Sequence, residues 1–296
     1  MFQNILVPLD GSKLSEASLS AAAVLAEKLG SSVTLLHVIE QDAPTEVHRD
    51  RHLTRPDEAE AYLLDTARRA FPPSARVATH VHAAPVSDVA RSIVEHATAE
   101  FKPDLIVTCT HGRGGVHDLL FGTIAQQVVA QGKTPLLLIK PDSARFEIRR
   151  MLVPLDPDSQ HEESLPPAQA LAAAFEAELA LLSVIPTFAT LTGEQVATSS
   201  LMPAATQAVL DLREERAEDD LRGHIELLAT WGIKCSARVA RGDPAATIVK
   251  SAEGLNVDVI ILSTHRKAGL GAFWSRSVAP QVVQGTKIPL LLIPIS

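Results

Sequence analysis

Cysteine is nearly absent. The 296 residues hold only Cys109 and Cys235, too few for a disulfide framework or a four-thiolate zinc site. Excess positive charge is missing as well: 27 Lys and Arg face 35 Asp and Glu, a net charge of −8. No general electrostatic pull toward nucleic acid or an anionic membrane follows from that balance. Long apolar runs are also lacking. The longest, such as residues 135–139 and 288–295, fall short of the ~20 needed to span a bilayer. The opening Met-Phe-Gln-Asn moves straight into a strand-like run, without a basic, apolar, small-residue signal pattern. These absences describe a soluble cytoplasmic protein. What is present is globular: 46% of residues are hydrophobic and 21% charged, in a length that suits two domains of ~150 residues.

Self-comparison bears out the division, because the sequence repeats. Ile5-Leu6-Val7-Pro8-Leu9-Asp10 returns as Met151-Leu152-Val153-Pro154-Leu155-Asp156. Thr110-His111 returns as Thr264-His265, and Pro135-Leu136-Leu137-Leu138-Ile139 as Pro289-Leu290-Leu291-Leu292-Ile293. The offset grows from 146 to 154 residues along the way, which places a net insertion of eight residues most simply between Pro186 and Pro203. One large domain is duplicated, with expected bounds 1–141 and 148–296 and a mostly polar seam at residues 141–147.

In the first copy, β-rich apolar runs at 4–9, 32–39, 76–82, 105–109 and 136–140 alternate with helix-period segments at 15–29, 57–70, 86–100 and 123–131. Leu19, Ala22, Ala23 and Ala26 give the first helix an apolar stripe, and Gly30 suits a left-handed cap after it. Strands separated by helices predict right-handed crossovers and a parallel sheet covered on both faces. Leu105-Ile106-Val107 reads as a strand buried on both sides. The second copy repeats the order, with strands at 150–155, 179–185, 234–240, 258–263 and 289–293. Pro8 and Pro154 oppose a central strand, yet each stands just before an Asp, where the chain leaves the sheet.

Ligands of such sheets bind beyond the carboxyl ends of the strands. Asp10-Gly11-Ser12 follows the first strand, and His37-Val38 closes the second. Cys109-Thr110-His111-Gly112-Arg113-Gly114-Gly115 follows the fourth, and Gly122-Thr123 then opens a helix. A glycine-rich loop feeding a helix N-terminus offers backbone N–H groups and a positive dipole end to a phosphate chain. Neither of the commonest phosphate motifs fits. The chain has no G-x-x-x-x-G-K-[ST], and His117 occupies the final glycine position of a dinucleotide fingerprint.

Together, the ILVPLD strand, the TxHG loop, the nine-residue spacer to Gly-Thr and the KTPLLLIK strand resemble the universal stress protein domain, twice over the whole chain. The resemblance implies two doubly wound, five-stranded parallel α/β (Rossmann-like) domains of strand order 3-2-1-4-5. In that family the final strands pair antiparallel, so an intramolecular pseudo-dimer is expected, with assembly into a homodimer as a further step. It also implies ATP, held with Mg2+ through G-x2-G-x9-G-[ST]. Carried onto this chain, the site is Pro8, Asp10, Val38, Thr108, Cys109, Gly112, Arg113, Gly122, Thr123, Ile124 and Ala125. Asp10 takes the ribose or the metal, and Val38 takes the adenine. Cys109 departs from the family's first glycine. In the second copy Arg266 and Arg276 replace both phosphate-cradling glycines and Trp274 joins the same loop, so this site is expected to be nucleotide-free.

Plainer readings stand beside these. Asp156, in the degraded copy, is read as a helix N-cap. Gly112, Gly114, Gly115 and Gly122 also suit a tight turn. His80 and His82 share a strand face, and His48 and His52 are helix-spaced. No pair has a nearby cysteine or a four-ligand set, so packing or solvated histidines are the reading preferred. His111 and His265 orient their loops. Cys109 is read as packed and inert over activated, and residues 211–220 as a solvated helix face. Three functions remain open. The first is a nucleotide-dependent regulator or scaffold with unidentified protein partners and no nucleic acid or membrane. The second is a slow ATP hydrolase or nucleotidyl-transfer enzyme, against which the missing SGGxDS and HxGH motifs count. The third is a nucleotide-free scaffold, the reading that Cys109 supports. No catalytic residue is assigned.

Overall fold

The computed structural model describes residues 1–47, 50–110, 123–141, 146–156, 162–191, 194–265 and 278–295. Two compact units emerge. One gathers Met1–Glu147 and the segment carrying the last strand; the other gathers Ile148–Ser263 and Val278–Thr286.

In the first unit, β1 (Asn4–Pro8), α1 (Ala17–Leu29) and β2 (Ser32–Glu40) are followed by a short hairpin, β3 (Glu46–Val47) and β4 (Asp50–Arg51). Then come α2 (Pro56–Ala70), β5 (Arg76–Val86), α3 (Val89–Glu95) with a π-helical turn His96–Glu100, β6 (Leu105–Cys109), α4 (Thr123–Gln131) and β7 (Leu136–Ile139). β1 lies between β2 and β6, β5 flanks β2 and β7 flanks β6, all parallel. β12 (Leu290–Ile295), which belongs to this unit, pairs antiparallel with β7 and sets Leu291 opposite Leu137. That ladder ends at Leu292, two residues before Pro294, which has no N–H to extend it.

The strands form because their apolar runs are buried on both faces. Leu6, Val7, Leu35, Leu36, Val107, Leu136 and Leu138 are fully enclosed, each such side chain contributing about 1.5–3 kcal/mol relative to exposure. α1 buries Leu19, Ala21, Ala22, Leu25 and Ala26, so Ala21 and Leu25 join the stripe in place of Ala23. α1 begins at Ala17 rather than 15, because Ser12 and Ser15 hydroxyls bond the nearby backbone instead. The larger departure is at residues 86–100, read as one helix from sequence. β5 extends to Val86 as an edge strand containing Pro85, and the Asp88 carboxylate accepts from the Arg91 N–H at 2.9 Å to start α3 three residues late.

The second unit repeats the plan with β8 (Arg150–Leu155), α5 (Leu165–Phe175), β9 (Glu178–Ile185), α6 (Glu194–Leu201), α7 (Pro203–Thr230), β10 (Cys235–Arg241), α8 (Pro244–Gly254), β11 (Val259–His265) and α9 (Val278–Gly285). β9 pairs with β10 and β8, and β8 with β11, all parallel. The inserted residues form a 3-10 turn, Phe188–Thr190, and α6, while α7 runs 28 residues where α2 has 15. Ile185, Leu191, Leu210 and Ala217 bury together and fasten this insertion to the sheet. Among the described residues, no helix is long and apolar enough to cross a membrane.

The duplication extends to single hydrogen bonds. Asp104 accepts from the Gln3 and Asn4 N–H groups at 2.9 Å each, and Asp258 from those of Arg149 and Arg150 at 2.7 and 2.9 Å. Asp243 starts α8 as Asp88 starts α3. One pair differs. α1 ends on Gly30 at φ 66°, and α5 ends on Glu176 at φ 55°. A side chain at such φ costs about 1–2 kcal/mol, and glycine returns about 0.4–1 of that through unfolded-chain entropy. Glu176→Gly is therefore expected to stabilise the protein by about 0.5–1 kcal/mol in urea unfolding, and Gly30→Glu to destabilise it by a similar amount.

Candidate functional site

β1 and β6 end close together, β2 runs four residues past Leu36, the partner of Pro8, and these segments build one cleft. Pro8 closes β1 against Leu36. Gly11 follows Asp10 at φ 89°, with the Leu53 side chain 2.8 Å from where a β-carbon would stand; glycine is required for both reasons. The Asp10 carboxylate accepts from the Ser12 N–H at 2.9 Å and the Ser12 hydroxyl at 2.6 Å. Those bonds use two of its roughly four acceptor positions.

The buried His37 ring lies between two carbonyls, with Nδ1 2.8 Å from Leu9 O and Nε2 3.1 Å from Leu53 O. It ties the end of β1 to the segment that follows the β3–β4 hairpin. The Asp50 carboxylate accepts from the Lys13 N–H at 2.9 Å, so the hairpin is fastened to the Asp10 loop as well. On the other side of β2, the ladder to β5 loses register between Val38 and Glu40. A bulge of this kind re-aims the chain and often marks a site.

Pro8, Asp10, Val38, Thr108, Cys109 and Ile124 all line this cleft, so the structure brings six of the sequence-derived site residues together. Ala125 is buried beside them in α4 without lining the cleft. Thr123 opens α4, but its side chain lies outside the described residues, as do Gly112, Arg113 and Gly122. His111, Gly114, Gly115, His117, Arg266, Trp274, Arg276 and the His265 side chain fall outside them too. The enclosed volume is about 130 Å3, below the ~300–1,000 Å3 of a typical ligand pocket.

Sequence reasoning missed one wall. Glu40, Val47 and His52 also line the cleft. The helix spacing of His48 and His52 fails as a guide, because β3 and β4 occupy that segment and His48 lies outside the described residues. His52 is 7% exposed and its Nδ1 has no hydrogen-bond partner among the described residues; its Nε2 is 3.9 Å from the Glu40 carboxylate. A buried polar atom left unpaired costs about 1–3 kcal/mol. No local sequence signal marks it. Beside the cleft, burial pushes the Lys140 ammonium below its usual range, offset in part by Cys109.

The pattern of the Universal stress protein family matches residues 1–140 and again residues 147–294. The chain belongs to the universal stress protein family. Universal stress protein MJ0531 of Methanocaldococcus jannaschii is 25% identical over 147 residues, 49% of this chain and 81% of that protein. A universal stress protein from Archaeoglobus fulgidus DSM 4304 has the same fold at TM-score 0.71 and 18% identity, covering 98% of this chain and 96% of that one. A functionally unknown protein, PA1789 of Pseudomonas aeruginosa PAO1, follows at TM-score 0.66 and 18% identity, covering 99% and 92%. This is therefore a tandem universal stress protein.

Cys109, the departure from the family's glycine, is 9% exposed, with its thiol 3.1 Å from the Thr110 carbonyl. Burial pushes the half-buried Cys235 thiol up to about 11, leaving about one thiolate in a thousand at pH 8. Iodoacetamide should therefore alkylate the native protein slowly at pH 8, the Cys235 rate rising about tenfold per pH unit toward 11 and both thiols reacting fully in denaturant. A fast-reacting Cys109 at pH 7, located by peptide mapping, would contradict an inert thiol.

Proposed function

We propose that the first repeat of this universal stress protein binds ATP with Mg2+, and that its occupancy regulates contacts with protein partners in a cytoplasmic stress response. The observation that carries this reading is the cleft itself. Six side chains from the ends of β1 and β6, from β2 and from the first turn of α4 converge there. Val38 and Pro8 offer an apolar wall to a planar base, and the register break after Val38 favours a backbone contact to its edge. The start of α4 supplies the positive dipole end that a phosphate chain seeks.

The donor set also fits the metal. Mg2+ takes oxygen ligands and is commonly held by one or two carboxylates plus substrate phosphates. Asp10 and Glu40 both stand on the cleft wall, and Asp10 is the assigned ligand. Gly112, Arg113, Gly122 and Thr123 complete the phosphate cradle in this reading, Ala125 backs it, and Arg266 and Arg276 leave the second repeat empty. The repeats, 1–141 and 148–296, thereby carry one nucleotide site between them.

Protein purified without added nucleotide, analysed by mass and then titrated calorimetrically with Mg-ATP, tests this. One ATP per chain is expected. Gly122→Arg should abolish binding, with circular dichroism unchanged. Two equivalent sites, or no ATP at any concentration tested, would overturn the reading. Steady ADP release would favour the slow hydrolase.

A further inference from the structure

A second cluster lies at the outer edge of the first unit, on β5 and the turn after α3, and none of its residues lines the cleft. His80 stands on β5, and His96 and Glu100 begin and end the π-helical turn after α3. His80 Nδ1 is 3.8 Å from one Glu100 oxygen, and His96 Nε2 is 3.6 Å from the other. The three ligand atoms lie within 4.8 Å of one another. These separations exceed a hydrogen bond, which ends near ~3.2 Å. The two distances run to different Glu100 oxygens, and the three atoms span up to 4.8 Å, wider than the ~3.4 Å edge of a tetrahedron centred ~2.0–2.1 Å from each N or O atom, the Zn2+ geometry. Side-chain rotation of the half-exposed Glu100 and the partly exposed His80 is what closes the set on an ion.

We propose that His80, His96 and Glu100 form a binding site for one divalent transition ion of the Zn2+ type. The proposal is independent of nucleotide binding.

His96 is prepared for the role. Its Nδ1 lies 2.8 Å from the Ser92 carbonyl, and a carbonyl only accepts, so Nδ1 carries the proton and Nε2 presents its lone pair to the cluster. Metal-binding imidazoles are held in this way, the distal N–H donating to a carbonyl or carboxylate. The ring is 9% exposed and packed at 4.9 Å against His82 and 5.9 Å against Phe101, which fixes its plane and keeps water from one side. Glu100 is half exposed and opens the site to solvent, leaving the fourth position to water. A π-turn, uncommon in itself and frequent at functional sites, brings His96 and Glu100 to the same side.

The second repeat offers a contrast within the same chain. Aligning the N-caps Asp88 and Asp243 and the β2–β5 and β9–β10 registers puts Arg238 and Ser251 at the positions of His80 and His96, and the one residue added by the π-turn puts Gly254 at that of Glu100. None of the three is a usual transition-metal ligand. There the place is a cavity of about 650 Å3, whereas the first unit fills it with imidazoles and Phe101. A packing role alone would be met by apolar residues. It would not require two imidazole nitrogens and a carboxylate to converge.

The full chain, stripped with chelator, is titrated with Zn2+ by calorimetry and with Co2+ by visible absorbance. One ion per chain is expected, with Co2+ d–d bands of low coordination number and affinity falling as pH is lowered from 7.5 to 5.5, because the imidazoles must be neutral. His80→Asn, His96→Asn and Glu100→Gln should each weaken Zn2+ binding at least tenfold, with metal-free circular dichroism unchanged. His224→Asn, outside the cluster, should leave it as it was. Absence of binding at 100 micromolar Zn2+, or affinity unaltered in both histidine variants, would overturn the site.

Discussion

The cleft depends on β1 being paired on both sides. Held by β2 and β6 at once, β1 releases the chain beside the end of β6 and against the overhanging part of β2, and Asp10, Val38 and Cys109 meet for that reason. The aspartate clamp at its other end fixes the starting register, since Asp104 receives two consecutive N–H groups of β1. A slip of one residue would carry Leu6 and Val7 to opposite faces and move Asp10 out of reach of Ser12. The His37 ring then extends this order outward, joining the last residue before Asp10 to the segment after the hairpin.

Much of this is legible in the sequence, for identifiable reasons. Strands such as residues 105–109 are bounded correctly because burial on both faces leaves a continuous apolar run, and Gly30 marks its helix end because only glycine takes that φ without strain. Six cleft residues are found because five stand at or near the carboxyl ends of strands and Ile124 stands in the first turn of α4, where position alone decides proximity. The failures are equally physical. Residues 86–100 have helical composition, but Asp88 offers a competing cap and β5 gains more by pairing on to Val86. The β3–β4 hairpin is too short to leave a period. His52 cannot be located without it, because its burial is decided by the tertiary fold.

The histidine cluster shows the same limit from another side. His80 and His82 are recognisable as one strand face, but their partners come from a helix beginning after the next turn, and the π-turn that aligns His96 with Glu100 has no sequence period of its own. Duplication then makes the two repeats informative about each other. The Asp clamps, the N-caps and the strand registers coincide, so the backbone frame is shared. The places where chemistry-bearing side chains differ, His80 against Arg238 and Glu176 against Gly30, stand out against that frame.

The pairing of β7 with β12 has a consequence for how the molecule is made. β7 is four residues long, every one of them buried, and its partner lies about 150 residues downstream. During synthesis the first unit therefore emerges with an unfinished hydrophobic border, and it keeps that border while the whole second unit is being translated. At ~5–20 residues per second this exposure lasts roughly ten to thirty seconds, an interval in which an unpaired strand invites the wrong neighbour. The shortness of β7, with only three residue pairs to satisfy, limits what such a neighbour can gain.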